Sequence, residues 1–585
     1  MCGIAGWQLN PGMAWPDAAL REMAALIAHR GPDDSGEYRD AAAGVAIAHR
    51  RLSIIDLGPG SHQPMVDTDR GVVLAYNGEL YNFQDLRREL QSLGHSFRSQ
   101  GDTEVVLRSF IEWGSACLDR FAGMFALALW DERNATLHLA RDAMGIKPLY
   151  YTQRPEGVAF ASEIKALRAL PGFHSRMDHS ALTQYLEFGY VFEDKRTMLQ
   201  GVCKLDPGHR LEIRQGRVML DHAWFQPPLS EDGNARDEDD RVQELREVMD
   251  KVVAEHLVAD VPVGLLLSGG LDSGLVAALA ARQGPLMTIS MGFEGSSIDE
   301  RPNARAVSEF IASRHVDVLI SADEVKREAM AGAWVFDDLF ADWGTITSRL
   351  LYRRCRELGA KVVLVGEGAD ELFGGYDIFQ APAHLGLWQQ FRLYQKYAGR
   401  RHGRLFGPFR KAMNEYLHAN EANAFDAVRL FESRRQLPNQ YVMKVDKASM
   451  AESIEARAPY LDRRIAQLAY RTPREWLLRN GENKYLLRAL ARRGNLLPAA
   501  ASGRAKFGAP LAADWMDTDS GFRSFARQRI LDGTWSAQVG MTSAMHNYFD
   551  RGRTGYSFPR AVSLFRNVAW RMLLLEMWSE HYVSV

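Results

Sequence analysis

The stretch Leu265-Leu266-Leu267-Ser268-Gly269-Gly270-Leu271-Asp272-Ser273 decides the fold of the second half of this 585-residue chain. A short apolar run, typical of a buried strand, leads directly into Ser-Gly-Gly and then into a helical pattern. Glycines let the backbone approach a ligand closely, and the first turn of a helix presents unpaired N–H groups that attract phosphate. The lysine of a Walker motif is missing. The stretch predicts a phosphate-binding strand–loop–helix unit, with a glycine-rich turn that binds nothing as the alternative.

The residues that follow alternate between strand and helix patterns. The predicted strands cover 263–267, 286–291, 316–320 and 361–365, and the predicted helices include 271–282 and 304–312. Such alternation is typical of a parallel sheet with helices on its faces, and these sheets bind ligands beyond the carboxyl ends of their strands. From about Phe379 onward the pattern is mostly helical.

A second cluster with suitable chemistry follows the strand at 361–365. The stretch Gly366-Glu367-Gly368-Ala369-Asp370-Glu371-Leu372-Phe373-Gly374-Gly375-Tyr376 holds three carboxylates within five residues. Carboxylates at a strand end can hold Mg²⁺, which in turn neutralises a polyphosphate. A solvated acidic loop is the alternative. A cluster suited to phosphate and another suited to magnesium support each other.

The first 220 residues show a different pattern. Short apolar runs predict strands at 45–49, 72–76, 125–130 and 137–140, and residues 20–28 and 104–113 have helical spacing. This part therefore predicts an α+β arrangement. Residues 227–240 are polar, acidic and led by two prolines, so they are interpreted as a linker, and a helix with an apolar face follows them.

Cys2 is a candidate nucleophile. Removal of Met1 would make Cys2 the N-terminal residue, and its own α-amine could then act as the base for its thiol. Asn77-Gly78-Glu79 is predicted as a turn after a strand, able to offer a side-chain amide and a backbone N–H to an oxyanion. Arg51 could pair with a substrate carboxylate. Asp102 could bind a substrate ammonium, or it could be only the N-cap of a helix.

Composition and charge exclude several classes of protein. With 71 Lys+Arg against 73 Asp+Glu the net charge is −2, so nucleic acid is not an expected partner. The apolar segment 261–281 contains Pro262 and Asp272, which disfavour a membrane span. The N-terminus does not resemble a signal peptide. The four cysteines are too far apart for a zinc site or a disulfide framework, which favours a reducing compartment: Cys2, Cys117, Cys203 and Cys355. A cytoplasmic protein without a membrane partner is expected.

Together these motifs resemble the glutamine-hydrolysing asparagine synthetase family over essentially the whole chain. In the first half the matching stretches are 1–6, 29–33, 51–54, 77–82 and 141–150. In the second half they are the loop at Ser268, 366–376 and 455–462. The resemblance implies a class II glutamine amidotransferase domain at 2–226, a linker at 227–240 and an asparagine synthetase domain at 241–585.

The fold that this resemblance implies is an N-terminal, Ntn-type αββα glutaminase domain. It is followed by a parallel-sheet α/β ATP-pyrophosphatase domain, of the PP-loop, HUP-like type, with a helical C-terminal extension. The implied reaction amidates a carboxylate through an acyl-adenylate, with AMP, pyrophosphate and L-glutamate as co-products. ATP and Mg²⁺ are the implied cofactors, and L-glutamine, ATP and the acceptor acid are the implied small-molecule partners. A homodimer is compatible with the sequence.

The resemblance also implies residue roles at the glutamine site. Cys2 would attack the glutamine side-chain amide and form a thioester, and Asn77 and Gly78 would form the oxyanion hole. The residues that would bind glutamine are Arg51, Asn77, Gly78, Glu79 and Asp102. Of these, Arg51, Glu79 and Asp102 would hold its backbone groups. An internal tunnel would carry ammonia from this site to the second one.

Roles at the ATP site follow in the same way. The residues that would bind pyrophosphate are Ser268, Gly269, Gly270, Asp272 and Ser273, and those that would contact adenosine are Leu267, Met291, Val365 and Gly366. Asp272 and Asp370 would be magnesium ligands. Glu367 would assist proton removal during attack by ammonia. Lys484 would stabilise charge on the adenylate, although spacing alone makes it an ordinary surface lysine.

One position departs from the family's pattern. The family carries a Thr-Thr-Ile-Arg-like sequence whose arginine is thought to hold the aspartate carboxylate, and here Thr347 takes that arginine's place. Arg349 is the candidate substitute. L-aspartate is the favoured acceptor, and another carboxylic acid, such as a sugar uronic acid or a natural-product intermediate, is the alternative. A β-lactam-forming relative and a non-catalytic scaffold are disfavoured because the motif around Cys2 is intact.

Overall fold

The computed structural model describes residues 2–229, 237–294, 299–342, 344–380, 385–398, 405–419, 423–502, 516, 519–551 and 559–583. Met1, Trp343 and half of the predicted linker, 230–236, therefore lie outside the described residues. No helix within these ranges has the length and apolar character that crossing a membrane requires.

Two six-stranded antiparallel sheets form the first half of the chain. Their strands are β1 Gly3–Leu9, β2 Asp34–Asp40, β3 Val45–Arg51, β4 Met65–Asp67, β5 Val72–Leu80, β6 Gly123–Asp131, β7 Thr136–Arg141, β8 Tyr150–Arg154, β9 Gly157–Ala161, β10 Val202–Lys204, β11 His209–Arg214 and β12 Arg217–Ala223. One sheet has the order β10-β8-β9-β1-β3-β2 and the other β12-β11-β7-β6-β5-β4. Apolar side chains from both sheets, Ile4 and Ile47 on one and Ala75 and Ala128 on the other, share one core. The sheets are therefore stacked face to face.

Helices cover the outer faces of this sandwich. They are α1 Asp17–Leu26, α2 Phe83–Ser92, α3 Asp102–Trp113, α4 Ile164–Leu167 and α5 His179–Phe188. Leu20 and Met23 of α1 pack with Trp7 of β1, and Leu86 of α2 packs with Leu74 of β5. Helices outside two stacked sheets make four layers, so the predicted αββα arrangement is confirmed.

A five-stranded parallel sheet forms the centre of the second half, in the order β15-β14-β13-β16-β17. Its strands are β13 Val263–Leu266, β14 Met287–Phe293, β15 Arg314–Ile320, β16 Val362–Leu364 and β17 Glu455–Arg457. The helices up to β16 and just after it are α6 Glu238–His256, α7 Leu271–Ala281, α8 Arg301–Phe310, α9 Ala322–Ala331, α10 Gly344–Glu357 and α11 Ala369–Phe373. The predicted α/β class is confirmed.

The remainder is mostly helical, as predicted. Its helices are α12 Leu387–Ala398, α13 Phe406–Ala419, α14 Ala424–Phe431, α15 Val442–Met450, α16 Arg463–Arg471, α17 Arg474–Leu477, α18 Tyr485–Arg493, α19 Ala499–Ser502, α20 Ser520–Leu531, α21 Trp535–Gln538, α22 Thr542–Arg551 and α23 Pro559–Tyr582. A π-helical segment, Glu432–Tyr441, joins α14 to α15, and β18 Leu478–Arg479 pairs with β19 Glu482–Asn483. Helix α23 packs back on the first half, where Arg571 donates to the Leu186 carbonyl at 2.9 Å.

Two local predictions differ from the structure. The last three residues of the predicted linker form the first turn of α6, because Asp237 accepts a hydrogen bond from the Asp240 N–H and caps the helix. Strand β17 was not predicted, since three residues with two charges carry no strand pattern. It forms because it pairs with β16 in the buried sheet.

Candidate active sites

Cys2 lies at the start of β1 and is 6% exposed. Burial raises the pKa of its thiol, so the thiol needs a base to become a nucleophile. The Cys2 backbone nitrogen donates to Asn77 Oδ1 at 2.9 Å. This nitrogen would become the α-amine once Met1 is removed, so Asn77 positions the group that could act as the base.

The other end of the Asn77 side chain is available to a ligand. Because Oδ1 accepts from Cys2, Nδ2 must point elsewhere, and among the described residues this buried amide nitrogen has no hydrogen-bond partner. A buried donor without a partner costs free energy unless a ligand satisfies it. The amide is therefore suited to an oxyanion next to Cys2.

The prediction of a turn at 77–79 was wrong. These residues lie inside β5, where Asn77 pairs with Ala126 of β6. On the side of β5 away from β6, Tyr76 donates its N–H to a glutamine side chain and Leu80 donates to Asp102 Oδ2 at 2.8 Å. Backbone N–H groups alternate along a strand, so Gly78 directs its N–H to that same open side. The two predicted oxyanion donors, the Asn77 side chain and the Gly78 N–H, therefore belong to a strand rather than to a turn.

Arg51 ends β3 and is buried. Its guanidinium donates to the backbone carbonyls of Ile55, Asp56 and Gly58. The predicted cation is therefore present, but a loop anchors it. These bonds fix the position of the charge near Cys2.

Asp102 is the first residue of α3, and the N-cap is Gly101, so the alternative of a capping role is wrong. Burial raises the pKa of the Asp102 carboxyl to about 6. Burial and then the neighbouring Asp102 charge raise the pKa of Glu79 well above its usual range. Two buried acids with raised pKa values are typical of a site that awaits a cationic ligand group.

The second half of the chain contributes to this site through Arg457 of β17. Its guanidinium is fully buried and lies 3.1 Å from Glu79 Oε2 and 2.7 Å from Glu455 Oε1. Burial would raise the pKa of Glu455, yet opposing charges that include Arg457 hold it at about 2. The sequence analysis did not place Arg457 or Glu455 in the site. The only local sign of their role was a pair of opposite charges two residues apart, which is a weak signal for a binding site.

A second buried connection runs through Arg30. Its Nε donates to the Cys2 carbonyl at 3.1 Å, and its two terminal nitrogens hold both oxygens of Asp446 at 2.8 and 2.9 Å. One terminal nitrogen also donates to Glu163 at 2.7 Å. Asp446 belongs to α15 in the second half of the chain. Arg30 therefore links the candidate nucleophile Cys2 to a helix of the second half of the chain.

The second candidate site is a cavity of about 340 Å³ beyond the carboxyl ends of β13 and β16. The predicted ATP-site and catalytic residues that line it are Leu267, Ser268, Asp272, Ser273, Met291, Val365, Gly366, Glu367 and Asp370. Gly269 and Gly270 lie in the adjoining loop. The structure thus brings the two sequence clusters to one cavity.

Two serines of the loop before α7 bond to each other. Ser273 Oγ accepts from the Ser268 N–H at 3.1 Å and lies 2.9 Å from Ser268 Oγ. Gly269 has φ +73°, and a Cβ there would stand 2.5 Å from the Ala304 nitrogen, so only glycine fits. No side chain caps α7, which leaves its first-turn N–H groups for a phosphate.

Lys484 joins the two carboxylates predicted to bind magnesium. Its Nζ lies 2.6 Å from Asp272 Oδ2 and 2.6 Å from Asp370 Oδ1. The described residues contain no group of three or more metal-ligating side chains. Two carboxylates that converge on one cation still fit Mg²⁺, which takes one or two carboxylates and completes its shell with phosphates and water.

Comparisons with known proteins match both halves of the chain. Residues 1–225 match the family described as "Glutamine amidotransferase domain", and residues 244–580 match the family described as "Asparagine synthase". The chain belongs to the asparagine synthase family. The two matches together make it a glutamine-dependent amidotransferase of the ligase class.

Three curated relatives are similar to this member of the asparagine synthase family. A "Putative asparagine synthetase [glutamine-hydrolyzing]" of Mycobacterium tuberculosis is 34% identical over 100% of this chain and 98% of its own. "Asparagine synthetase [glutamine-hydrolyzing] 1" of Bacillus subtilis is 31% identical over 87% of each chain. "Amidase chry2" of Gibberella zeae is 33% identical over 65% of this chain and 60% of its own.

The surroundings of Arg349 differ from the expectation. The Arg349 guanidinium pairs with Glu328 and donates to Glu452 at 3.0 Å. It therefore does not replace the arginine that the family pattern has at the position of Thr347. Thr347 is buried, and its hydroxyl donates to the Gly344 carbonyl at 3.1 Å. Neither residue offers a cation to the cavity.

Proposed function

We propose that this enzyme amidates L-aspartate to L-asparagine with nitrogen from L-glutamine, by way of an aspartyl-adenylate formed from ATP. One observation carries the proposal: Arg30 bonds both to the Cys2 carbonyl and to Asp446, whose helix α15 also lines the nucleotide cavity. A nitrogen-releasing site and a carboxylate-activating site built into one buried network fit a coupled reaction. The proposed domains are 2–226 and 241–585, with the linker at 227–240.

At the first site Cys2 attacks the side-chain carbonyl of glutamine. The α-amine held by Asn77 Oδ1 takes the thiol proton. Negative charge develops on the amide oxygen, which Asn77 Nδ2 and the Gly78 N–H stabilise. The α-ammonium passes this proton to the departing nitrogen, ammonia leaves, and water then hydrolyses the thioester to glutamate and the free thiol. Arg51 receives the substrate α-carboxylate, and Glu79 and Asp102 receive its ammonium.

At the second site a carboxylate oxygen of the acceptor attacks the α-phosphorus of ATP. Pyrophosphate leaves toward the N–H groups of the Ser268–Ser273 loop, and Leu267, Met291, Val365 and Gly366 surround the adenosine. Ammonia attacks the acyl-adenylate, Glu367 assists removal of its proton, and AMP leaves. Lys484 stabilises negative charge on the phosphoryl group.

Asp272 and Asp370 would hold Mg²⁺ in this scheme. The ion would supply positive charge that neutralises the polyphosphate. The ammonium of Lys484 lies 2.6 Å from each of these two carboxylates.

A second candidate acceptor is a different carboxylic acid, such as a sugar uronic acid or a natural-product intermediate. It is favoured by the uncharged Thr347 and by the pairing of Arg349 with Glu328 and Glu452. The name "Amidase chry2" shows that relatives with this likeness are not all named as asparagine synthetases.

The test is ATP–pyrophosphate exchange measured across a panel of acids, together with glutaminase activity. Exchange with aspartate and no other acid supports the first candidate, and exchange with another acid alone supports the second. The Cys2→Ala variant is expected to lose glutamine-dependent synthesis completely and to keep ammonia-dependent synthesis. Full glutamine-dependent activity in that variant would overturn the nucleophile assignment.

A further inference from the structure

The edge of β5 that faces away from β6 has a strand partner over only part of its length. Strand β4 pairs with residues 72–74 of β5 and then ends. The backbone groups of successive strand residues point to alternate sides, so beyond residue 74 every second residue directs its N–H and C=O to this edge. These residues are Tyr76, Gly78 and Leu80. Buried backbone groups at such an edge need partners, because leaving them unpaired costs free energy.

Side chains provide the partners at the first and the last of these three residues. The Tyr76 N–H donates to Gln63 Oε1 at 2.7 Å, and the Tyr76 carbonyl lies 3.2 Å from His49 Nε2. The Leu80 N–H donates to Asp102 Oδ2 at 2.8 Å. The edge is thus covered on both sides of Gly78.

Gly78 lies in the gap between these two covered positions. Its neighbour in β6 is Phe125, whose N–H donates to Asp142 Oδ2 at 3.2 Å and whose carbonyl accepts from the Asp142 N–H at 2.8 Å. Phe125 therefore directs its backbone groups away from Gly78. On either side of the gap, Asn77 Nδ2 and Glu79 Oε1 are buried without a hydrogen-bond partner among the described residues. The gap therefore coincides with polar groups that a ligand would satisfy.

Gln63 is fixed at both ends of its amide. It is 2% exposed, its Oε1 accepts from Tyr76, and its Nε2 donates to Thr103 Oγ1 at 3.4 Å. Thr103 follows Asp102 in the first turn of α3. One side chain therefore links the strand that carries Gly78 to the helix that carries Asp102.

His49 is held in one protonation state. It is buried, and burial lowers its pKa to about 3, so its ring is neutral at neutral pH and carries a single proton. A carbonyl can only accept a hydrogen bond, so this proton is on Nε2 and is donated to Tyr76. His49 and Gln63 thus hold both backbone groups of the residue two positions before Gly78.

We propose that Gln63 and His49 are positioning residues of the glutaminase reaction: they fix the backbone groups of Tyr76 and thereby direct the Gly78 N–H at the oxygen of the substrate amide. The inference rests on the proposed function, because it concerns the oxyanion of that reaction. Both residues act on the transition state, since a donor at this place bonds most strongly when the oxygen carries negative charge. Binding of glutamine before the reaction depends on other groups.

The test is steady-state glutaminase kinetics of the full-length enzyme. Gln63→Met removes the acceptor, Gln63→Glu keeps an oxygen on a side chain of the same length, and His49→Phe keeps a ring without a donor. Gln91→Met, at an exposed position of α2, is the matched control. Gln63→Met is expected to lower kcat about 10- to 100-fold and His49→Phe about 3- to 10-fold, while KM for glutamine and Ki for L-glutamate stay within about 2-fold of the wild type. Gln63→Glu restores most of kcat, and Gln91→Met changes nothing.

An aldehyde analogue of glutamine, L-glutamate γ-semialdehyde, adds a measurement that a merely structural role would not move. The Cys2 sulfur forms a bond to the aldehyde carbon, the C=O π bond breaks, and the thiol proton passes to the α-amine. The adduct therefore places a negative oxygen at the Gly78 N–H, as the reaction does. In each variant Ki for the aldehyde is expected to rise by the same factor by which kcat/KM for glutamine falls.

The outcomes separate this inference from the function that it rests on. If the wild type hydrolyses glutamine and Gln63→Met keeps the wild-type kcat, the inference is overturned and the function stands. If Ki for L-glutamate rises as kcat falls, or Ki for the aldehyde does not change, the two residues only maintain the fold and the inference is also overturned. If Gln63→Met loses ATP–pyrophosphate exchange as well, it is misfolded, and His49→Phe decides by the same criteria. A wild type without glutaminase activity overturns both proposals.

Discussion

The side chain of Asn77 does two different tasks at its two ends. Oδ1 holds the Cys2 nitrogen, while the buried Nδ2 has no partner among the described residues. We expect Asn77→Ala to lower glutaminase kcat by about 100- to 1,000-fold, the usual loss when one oxyanion donor is removed. Ammonia-dependent synthesis, measured on the same preparation, is expected to persist. Equal loss of both activities would point to misfolding instead.

The raised pKa of Asp102 indicates that its ionised carboxylate lowers the stability of the folded protein while it serves glutamine binding. Its folded-state pKa of about 6 lies above the ordinary 3.8, so the folded protein binds a proton more tightly than the unfolded chain does. Stability from this group is therefore present at low pH and is lost as the pH rises from about 4 to about 6. At pH 8 the ionised carboxylate costs up to about 3 kcal/mol.

Asp102→Asn is therefore expected to raise the free energy of unfolding at pH 8 and to weaken glutamine binding. The gain should shrink as the pH falls below about 6, because wild-type Asp102 then becomes protonated. Denaturant titrations at pH 8 and pH 4.5 measure it. A stability difference that is the same at both pH values would contradict the assigned pKa.

At the scale of single elements, the loop before α7 allows a clean test of the ATP site. Gly269→Ala places a Cβ at φ +73° and 2.5 Å from the Ala304 nitrogen, so the loop must shift. We expect ATP–pyrophosphate exchange to fall at least about 10-fold, since small displacements of binding groups are costly. Gly407→Ala, in helix α13 with open space around it, is the matched control. Glutaminase activity that falls along with exchange would contradict a local effect.

Helix α15 carries Lys444 at one site and Asp446 at the other. Asp446→Asn would leave the buried Arg30 with less opposing charge, and breaking such a pair costs about 3 kcal/mol. We expect a lower free energy of unfolding in denaturant. We also expect more glutamate released per pyrophosphate, because Arg30 links the Cys2 carbonyl to α15 and the substitution weakens that link between the two sites. Asp323→Asn, on the exposed side of α9, is the control. An unchanged glutamate-to-pyrophosphate ratio would show that α15 does not couple the sites.

The elements that sequence reasoning predicted are those with a local signal. Apolar runs such as 263–267 and the Ser268 loop can be recognised from a window of about ten residues. The structure brings this loop together with Glu367 and Asp370. Strand β17 and the role of Arg457 were missed because their partners are far away in sequence: Glu79 lies 378 residues before Arg457. Asn77 was predicted in a turn because residues 77–79 are polar or glycine and carry no strand pattern. They lie in a strand because they pair with β6.

At the scale of the whole molecule, the proposed function requires unprotonated ammonia to pass from the first site to the second. Bulk water at neutral pH would convert most of it to ammonium, which has no lone pair for attack. We predict that glutamine-dependent product formation resists an enzyme system that scavenges free ammonia, whereas ammonia-dependent synthesis is suppressed by it. Product and scavenged ammonia are measured in the same reaction. Complete loss of glutamine-dependent product under scavenging would count against an internal tunnel.

The pair between Arg457 and Glu79 has a consequence for how the enzyme is made. A ribosome releases the N-terminal part of a chain first, and that part begins to fold before the rest exists. Glu79 gains its buried cation only after 378 further residues have been added. Under the proposed function, the nascent N-terminal part lacks the cation that Arg457 supplies to Glu79, and we expect it to hydrolyse glutamine poorly until β17 has formed.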